Sequence, residues 1–189
     1  MTDEDAMTSK EQPVGAVGEL AAVVDQVAGL VESLDEREWH ASTPCEDWDV
    51  RDVVDHLLDV QRRFHANLVG QPVRSRPTFR ENAEMLVTAF SEDGALERVV
   101  PDRLGDITGL TLLHILTMEL LAHGWDLGQA VGRPPAFEEE TAARTVDFAR
   151  MMSPKVPPSL RRFAAPQPVA PDAPAIVRLA ALLGRKAAP

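Results

Sequence analysis

Apolar residues recur at spacings of three and four along most of the chain, which is the period of an amphipathic α-helix. In residues 14–34 the repeating positions are Val17, Leu20, Ala21, Val24, Val27, Ala28, Val31 and Leu34. The same period predicts helices at 49–68, 78–92, 108–131 and 137–152, and a short one at 173–184. Alternation typical of β-strands does not extend beyond a few residues around Val99. The pattern therefore predicts an all-α protein in which four long helices form a bundle.

Residues suited to helix ends support these boundaries. Asp49 fits the N-cap of the second helix, with Asp52 in the first turn, and Gly132 followed by prolines ends the fourth. The second helix has an apolar inner stripe that is interrupted by His56.

The chain is predicted to have three segments. Residues 1–13 are polar and are predicted to be a disordered tail, and residues 14–152 are predicted to form the helical bundle. Residues 153–189 are predicted to be a proline-rich extension packed on the bundle.

The composition argues against several classes of protein. The 189 residues include 30 acidic and 19 basic side chains, so the formal net charge is −11 and attraction to nucleic acid or anionic lipid is not expected. Cys45 is the single cysteine, which excludes an intrachain disulfide and fits a reducing compartment. No apolar run has the roughly 18 residues of a membrane span, and the acidic start lacks the core of a secretory signal. These features predict a cytoplasmic protein whose partners are small molecules or proteins.

Three ionisable residues interrupt the otherwise apolar fourth helix. Glu119, His123 and Asp126 are separated by four and three residues, which places them on one helix face. Because the helix is apolar nearly all round, we expect it to be buried in the domain or covered by a second subunit in a homodimer. An unpaired buried carboxylate costs several kcal/mol, so Glu119 must be neutral, meet a cation or line a wet cavity.

A divalent metal ion would satisfy this requirement. His56 is the candidate ligand from another helix, because it replaces an apolar residue in the inner stripe. Two imidazoles and one carboxylate, from His56, His123 and Glu119, are typical of a catalytic metal site with an open coordination position. Asp126 is the catalytic candidate, as a base, as a further ligand, or as an acceptor that orients His123. The alternatives are a hydrogen-bonded core histidine at 56 and a simple hydrogen bond between Glu119 and His123.

Other residues are weaker candidates for chemistry. Cys45 lies just before the second helix, where the helix N-terminus and Arg51 would stabilise a thiolate, and the alternative is a small buried side chain. Arg51 or Arg80 is a candidate for binding an anionic substrate in a cavity. Trp48 is interpreted as a packing aromatic, with a substrate clamp as the alternative. Three histidines fit the site poorly by helical angle or loop position, namely His40, His65 and His114.

Two motifs resemble a known family. The segments "TPCEDWDVRDVVDHLL" and "ELLAHGWDLGQAVG" are similar to the metal-binding domain of actinobacterial mycothiol-dependent maleylpyruvate isomerases, within the wider DinB-like superfamily. The ending "PVAPDAPAIVRLAALLGR" resembles a single-domain branch described as metal-binding proteins. The resemblance implies a DinB-like four-helix bundle with a short additional C-terminal helix, and a divalent metal, typically zinc, held by His56, Glu119 and His123. It also implies a metal that activates a low-molecular-weight thiol such as mycothiol.

These observations predict a divalent-metal-binding protein that acts as a thiol-dependent S-transferase or as an isomerase-like enzyme. The expected metal is Zn²⁺, with Ni²⁺ or Fe²⁺ as alternatives, and the expected partners are a small-molecule thiol such as mycothiol and an electrophilic substrate. The full-length isomerases carry a separate C-terminal domain that contributes to catalysis, and the residues after Met152 are too few to form one. The alternative is therefore a non-catalytic metal- or ligand-binding helical module or dimeric scaffold.

Overall fold

The fold is built almost entirely from α-helices. The computed structural model describes residues 4–45, 47–72, 77–157, 159 and 163–186, with side chains from residue 15 onward. Within these ranges the helices are α1 (Glu4–Glu32), α2 (Val50–Val69), α3 (Phe79–Phe90), α4 (Gly109–Val131), α5 (Glu139–Met152) and α6 (Ala175–Leu182). Short 3-10 helices lie at Glu38–His40 and Ser153–Lys155. The all-α prediction holds for the bulk of the described chain.

An antiparallel hairpin is the exception to the all-α prediction. Its strands are β1 (Val99–Asp102) and β2 (Gly105–Thr108), and the first residue of β1 pairs with the last residue of β2. Each strand has only four residues, and Val100 alone is buried in β1, so no alternating pattern is long enough to recognise. Asn67 Nδ2 at the end of α2 donates to Pro101 O at 2.7 Å and ties the hairpin to that helix.

The first helix begins earlier than the apolar pattern predicts. The periodic positions place its start at Val14, whereas α1 begins at Glu4 and ends at Glu32. Of the predicted tail at 1–13, the first three residues lie outside the described residues. The backbone of residues 4–13 belongs to α1. Polar residues carry no amphipathic signal, so periodicity does not detect a helix there.

Side chains at the helix ends explain where α2 and α4 begin or stop. Asp49 Oδ1 accepts a hydrogen bond from Asp52 N at 2.9 Å, and Asp52 Oδ2 accepts one from Asp49 N at 3.1 Å. This reciprocal pair satisfies two backbone donors that the helix itself leaves unpaired, and the predicted N-cap is confirmed. Gly132 adopts a left-handed conformation with φ of 67° after α4, which is the predicted end.

Helices α1 to α4 pack around a shared core. α1 packs against α3 and α4, and α2 packs against the same two helices. The apolar stripe predicted for α2 is buried at Val53, Leu57, Val60, Phe64 and Leu68, and the inward positions predicted for α3 are buried at Phe79, Ala83, Leu86 and Phe90. The contact between α2 and α4 allows side chains from these two helices to share one site.

The apolar helix α4 is covered by the chain itself. Helices α1, α2, α5 and α6 all pack against it, and residues 120–128 are buried without interruption. The homodimer stays a prediction, but the apolar surface of α4 no longer supports it, because helices of the same chain cover that surface. No described helix is long and apolar enough to cross a membrane.

The chain after α5 folds back over α4 and α5. Glu139 at the start of α5 accepts a hydrogen bond from Ala175 N at 2.9 Å, which fixes the first residue of α6. After α6, Gly184 has a φ of 89°, and a Cβ at this position would lie 2.6 Å from Ala164 Cβ. Both the backbone conformation and the lack of space favour glycine here. The turn directs Arg185 back into the protein, where it is buried.

We expect Thr78→Ala to lower the free energy of unfolding by about 1 kcal/mol, because Glu81 N would lose its side-chain acceptor at the start of α3. Urea unfolding followed by circular dichroism measures this change. Thr88→Ala is the matched control in the same helix, since the Thr88 hydroxyl donates to the Glu84 carbonyl within the helix and does not cap its start. Equal losses for the two variants would contradict the capping role of Thr78.

Candidate metal site

His56, Glu119 and His123 meet between α2 and α4. Glu119 Oε2 lies 3.3 Å from His56 Nε2 and 3.4 Å from His123 Nε2. The two imidazole rings stand edge to face, with centroids 5.0 Å apart. One oxygen and two ring nitrogens, all within 4.8 Å of one another, form a group that could hold a metal ion.

The packing of α2 against α4 produces this meeting. His56 stands in the second turn of α2, on the face that also carries Val53 and Val60. Glu119 and His123 lie one turn apart near the middle of α4. The relative depth of two helices cannot be read from their sequences, and here the two depths match. The side chain of His56 is 32% exposed and that of His123 is 3% exposed, so the site is more open on the α2 side.

Asp126 contacts His123 through the ring nitrogen that does not face Glu119. Asp126 Oδ2 lies 3.0 Å from His123 Nδ1. Arg185 donates to both carboxylate oxygens of Asp126, from Nε to Oδ1 at 3.2 Å and from Nη2 to Oδ2 at 2.7 Å. The side chain of Asp126 is fully buried and that of Arg185 is 4% exposed. The result is a buried, two-point ion pair that fixes the orientation of the His123 ring.

The charges in this cluster stabilise one another. Burial disfavours the ionised form of Glu119, but hydrogen bonds with His123 and His56 outweigh it and lower the pKa of this carboxyl. Burial also disfavours the ionised form of Asp126, but hydrogen bonds with His123 and Arg185 outweigh it and lower the pKa of this carboxyl. Burial favours a neutral His123, but hydrogen bonds with Asp126 and Glu119 raise its pKa above the ordinary value. A positive charge is therefore favoured between the two carboxylates, and a metal ion would replace the His123 proton there.

The loop before α2 covers the two imidazoles. The Trp48 ring stacks on His123 with centroids 5.8 Å apart and 21° between the planes, and its centroid lies 4.9 Å from that of His56. Thr43 Oγ1 donates to Trp48 O at 2.9 Å and accepts from Cys45 N at 3.1 Å, which holds the loop in this conformation. Trp48 therefore forms a wall of the site in addition to packing against the core.

Cys45 reaches the same cluster from this loop. A ligand atom of Cys45, one of His123 and one of Asp126 all lie within 4.8 Å of one another. Burial raises the pKa of the Cys45 thiol, and this effect outweighs the positive charge of Arg185, which acts in the opposite direction. Arg51, predicted to stabilise a thiolate, instead lies over the Trp39 ring at 5.1 Å from its centroid. The geometry therefore favours the neutral thiol.

A cavity of about 930 Å³ opens beside the three candidate ligands. Its walls come from α2, α4, the tip of the β-hairpin, the end of α5 and the chain that follows α5. His56, Glu119 and His123 line it, whereas Asp126 does not. The apolar part of the wall includes Ile115, Met118, Phe148, Met152 and Phe163. A small molecule in this cavity would contact the candidate metal ligands directly.

The sequence pattern does not predict Arg185, and the prediction that Arg51 or Arg80 lies in a substrate cavity is wrong. Arg185 is 59 residues away from Asp126, and the one available signal was the need of a buried Asp126 for a cation. Arg51 and Arg80 do not line the cavity; Arg80 instead pairs with Glu32 at 2.7 Å on the surface. The remaining histidines lie outside the cluster that the described residues form, namely His40, His65 and His114.

We expect Arg185→Gln to lower the free energy of unfolding by about 3–5 kcal/mol, because it removes the arginine partner of a fully buried carboxylate. The double variant Asp126→Asn with Arg185→Gln should recover part of this loss, since no uncompensated carboxylate remains. Urea unfolding measures both changes, and Arg150→Gln on the surface serves as the control. A single variant as stable as the wild type would show that the pair does not stabilise the fold.

Comparisons with known proteins cover the part of the chain that carries His56. Residues 20–102 match the family model described as the mycothiol maleylpyruvate isomerase N-terminal domain, a range that includes His56 and ends before Glu119. Two uncharacterized proteins of Mycobacterium tuberculosis, from strains CDC 1551 / Oshkosh and H37Rv, are each 25% identical over 168 residues, or 85% of this chain and 92% of theirs. No solved structure matches the chain significantly. The predicted resemblance is confirmed over this range, since residues 20–102 are similar to the mycothiol maleylpyruvate isomerase N-terminal domain.

Proposed function

We propose that this chain is a divalent-metal protein with a DinB-like four-helix bundle, in which His56, Glu119 and His123 hold the metal. Zn²⁺ is the first candidate, and Ni²⁺ or Fe²⁺ are alternatives for the same donor set. Its function is to activate a low-molecular-weight thiol of the mycothiol type for S-transfer to, or isomerisation of, an electrophilic substrate. The family match supports the thiol, and the side-chain geometry supports the metal.

The distances within the donor set carry the proposal. Two ligands held about 2.0–2.1 Å from a tetrahedral ion lie roughly 3.3–3.4 Å apart. Glu119 Oε2 lies 3.3 Å from His56 Nε2 and 3.4 Å from His123 Nε2, so these atoms need little rearrangement to bind an ion. The Nδ1 of His123 is engaged by Asp126, which leaves Nε2 as the ligand atom, as is usual for metal-binding histidines.

Each residue of the cluster has a distinct role in this proposal. A divalent ion with an open coordination position would lower the pKa of a bound thiol, so that the thiolate is available at neutral pH. Asp126 is a positioning residue, since it fixes the His123 ring and is itself fixed by Arg185. Trp48 limits the access of water to His123 by stacking on the face of this imidazole.

The adjoining cavity has room for the reactants. Its volume of about 930 Å³ lies within the usual range of roughly 300–1,000 Å³ for small-molecule sites. Its wall contains apolar side chains from α4 and α5, including Ile115 and Phe148, together with charged groups. Such a wall suits organic molecules that carry both apolar and charged parts.

A non-catalytic metal- or ligand-binding module is the second candidate. The placement of Asp126 favours it, because this carboxylate is fully buried between His123 and Arg185 and does not line the cavity. A base in that position cannot reach a substrate without a rearrangement of the ion pair. The metal would then stabilise the fold or help to bind a ligand.

Purified protein loaded with Zn²⁺ and freed of excess ion should retain about one equivalent, because three candidate ligand side chains already lie close together. His56→Ala and His123→Ala should each lose most of this metal, measured by inductively coupled plasma mass spectrometry. His65→Ala in α2 and His114→Ala in α4 are matched controls outside the cluster and should keep the metal. The proposed site would be wrong if the site variants retained the metal, or if the controls lost it equally.

The zinc-loaded protein should add mycothiol to the activated double bond of an electrophile faster than the uncatalysed reaction. In this addition the sulfur bonds to one carbon and the thiol proton ends on the other. Chelation should abolish the excess rate and added Zn²⁺ should restore it, because the metal supplies the thiolate. His56→Ala should reduce the rate at least tenfold, whereas His65→Ala should not. Metal retention with no S-transfer or isomerisation would support the non-catalytic module instead.

A further inference from the structure

Besides Arg185, two arginines line the cavity, one from α2 and one from the β-hairpin. Arg63 lies two turns after His56 in α2. Arg103 lies in the two-residue turn between β1 and β2. Both side chains line the same cavity as His56, Glu119 and His123. The hairpin that sequence periodicity does not detect thus brings a second positive charge to this wall.

Arg63 lacks an acceptor for a buried part of its guanidinium group. Its Nε is buried and has no hydrogen-bond partner among the described residues. The guanidinium lies over the Phe64 ring, 5.1 Å from its centroid, which stabilises the group without satisfying its donors. Burial lowers the pKa of Arg63, and the like charge of Arg103 acts in the same direction, whereas the carboxylates of Asp102, Glu119 and Asp59 act in the opposite direction. A buried donor without an acceptor is costly, so an anion at this position would be stabilising.

The neighbouring acids leave this requirement unmet. Asp59 and Asp102 also line the cavity, but the closest cation to Asp59 is Arg62, with 3.6 Å between Asp59 Oδ1 and Arg62 Nη1. Asp102 Oδ1 accepts the backbone hydrogen bond of Leu104 at 3.1 Å. Within the described part of the chain, neither Arg63 nor Arg103 has a carboxylate within ion-pair distance.

We propose that Arg63 and Arg103 form an anion-binding subsite of the cavity, which takes a carboxylate group of the electrophilic substrate. The inference rests on the proposed function in one respect, because it assumes that the reacting molecules occupy this cavity. Arginine suits a carboxylate because its planar group presents two parallel donors. Phe148 and Met152 of α5 supply apolar surface on the same cavity, so the preferred substrate is a carboxylate on an apolar body.

Binding of benzoate and of its neutral analogue benzamide tests the subsite. Both affinities are measured by isothermal titration calorimetry on chelated protein, where the carboxylate cannot coordinate a metal ion. We expect Arg63→Gln and Arg103→Gln each to weaken benzoate binding about tenfold, since a charge-assisted hydrogen bond is lost. Benzamide binding should be weaker than that of benzoate in the wild type and should not change in either variant.

Arg51→Gln is the matched control, because it removes the same charge from α2 at an exposed position outside the cavity. Benzoate binding should be unaffected by this substitution. Arg103→Gln keeps the test valid if Arg63→Gln fails to fold, since Arg103 is exposed in a turn. The subsite would be wrong if wild-type protein bound the two probes equally, or if Arg51→Gln weakened benzoate binding as much as the other variants.

A second measurement separates this inference from the proposed function. Zinc-loaded protein is assayed with mycothiol and a matched pair of electrophiles, one with a carboxylate and one with an amide in its place. The proposed function would be wrong, and the subsite would stand, if neither electrophile underwent S-transfer while benzoate binding still depended on Arg63 and Arg103. S-transfer that is equal for both electrophiles and unaffected by Arg63→Gln overturns the subsite and leaves the proposed function standing.

Discussion

The structure depends on a chain of charges buried between α2, α4 and the end of the polypeptide. Glu119 and Asp126 both contact His123, and Arg185 closes the chain from the other side of Asp126. Two carboxylates in a largely buried cluster require positive charge nearby, because burying an unpaired charge costs several kcal/mol, a large part of the stability of a typical domain. Arg185 compensates one carboxylate, and the hydrogen bonds of His123 and His56 stabilise the other.

This requirement connects the site to the fold around it. Arg185 reaches Asp126 only because Gly184 turns the chain after α6, which in turn packs on α4 and α5. The segment that carries Arg185 also helps to form the cavity beside the candidate ligands. The C-terminal extension therefore contributes an ion-pair partner to the site and a wall to the space where a substrate would bind.

Most of the helical framework could be predicted because helix formation is a local property. The N-cap at Asp49, the end of α4 at Gly132 and the buried stripe of α2 each follow from residues within a few positions of one another. The hairpin could not be predicted from periodicity, since strands of four residues with one buried side chain in β1 lack a measurable pattern. The early start of α1 could not be predicted either, because its first turns carry few apolar residues and so show no amphipathic pattern.

The sequence by itself determined most of the helices, the family resemblance over residues 20–102 and the choice of His56, Glu119 and His123 as candidate ligands. A polar residue on an apolar helix face is visible in the linear pattern. Only the tertiary structure decided that α2 and α4 meet at the same depth, that Arg185 pairs with Asp126, and that Arg63 and Arg103 share a cavity. These contacts join residues far apart in the chain. Their distances depend on how helices pack and where loops return, and periodicity within one segment carries no information about either.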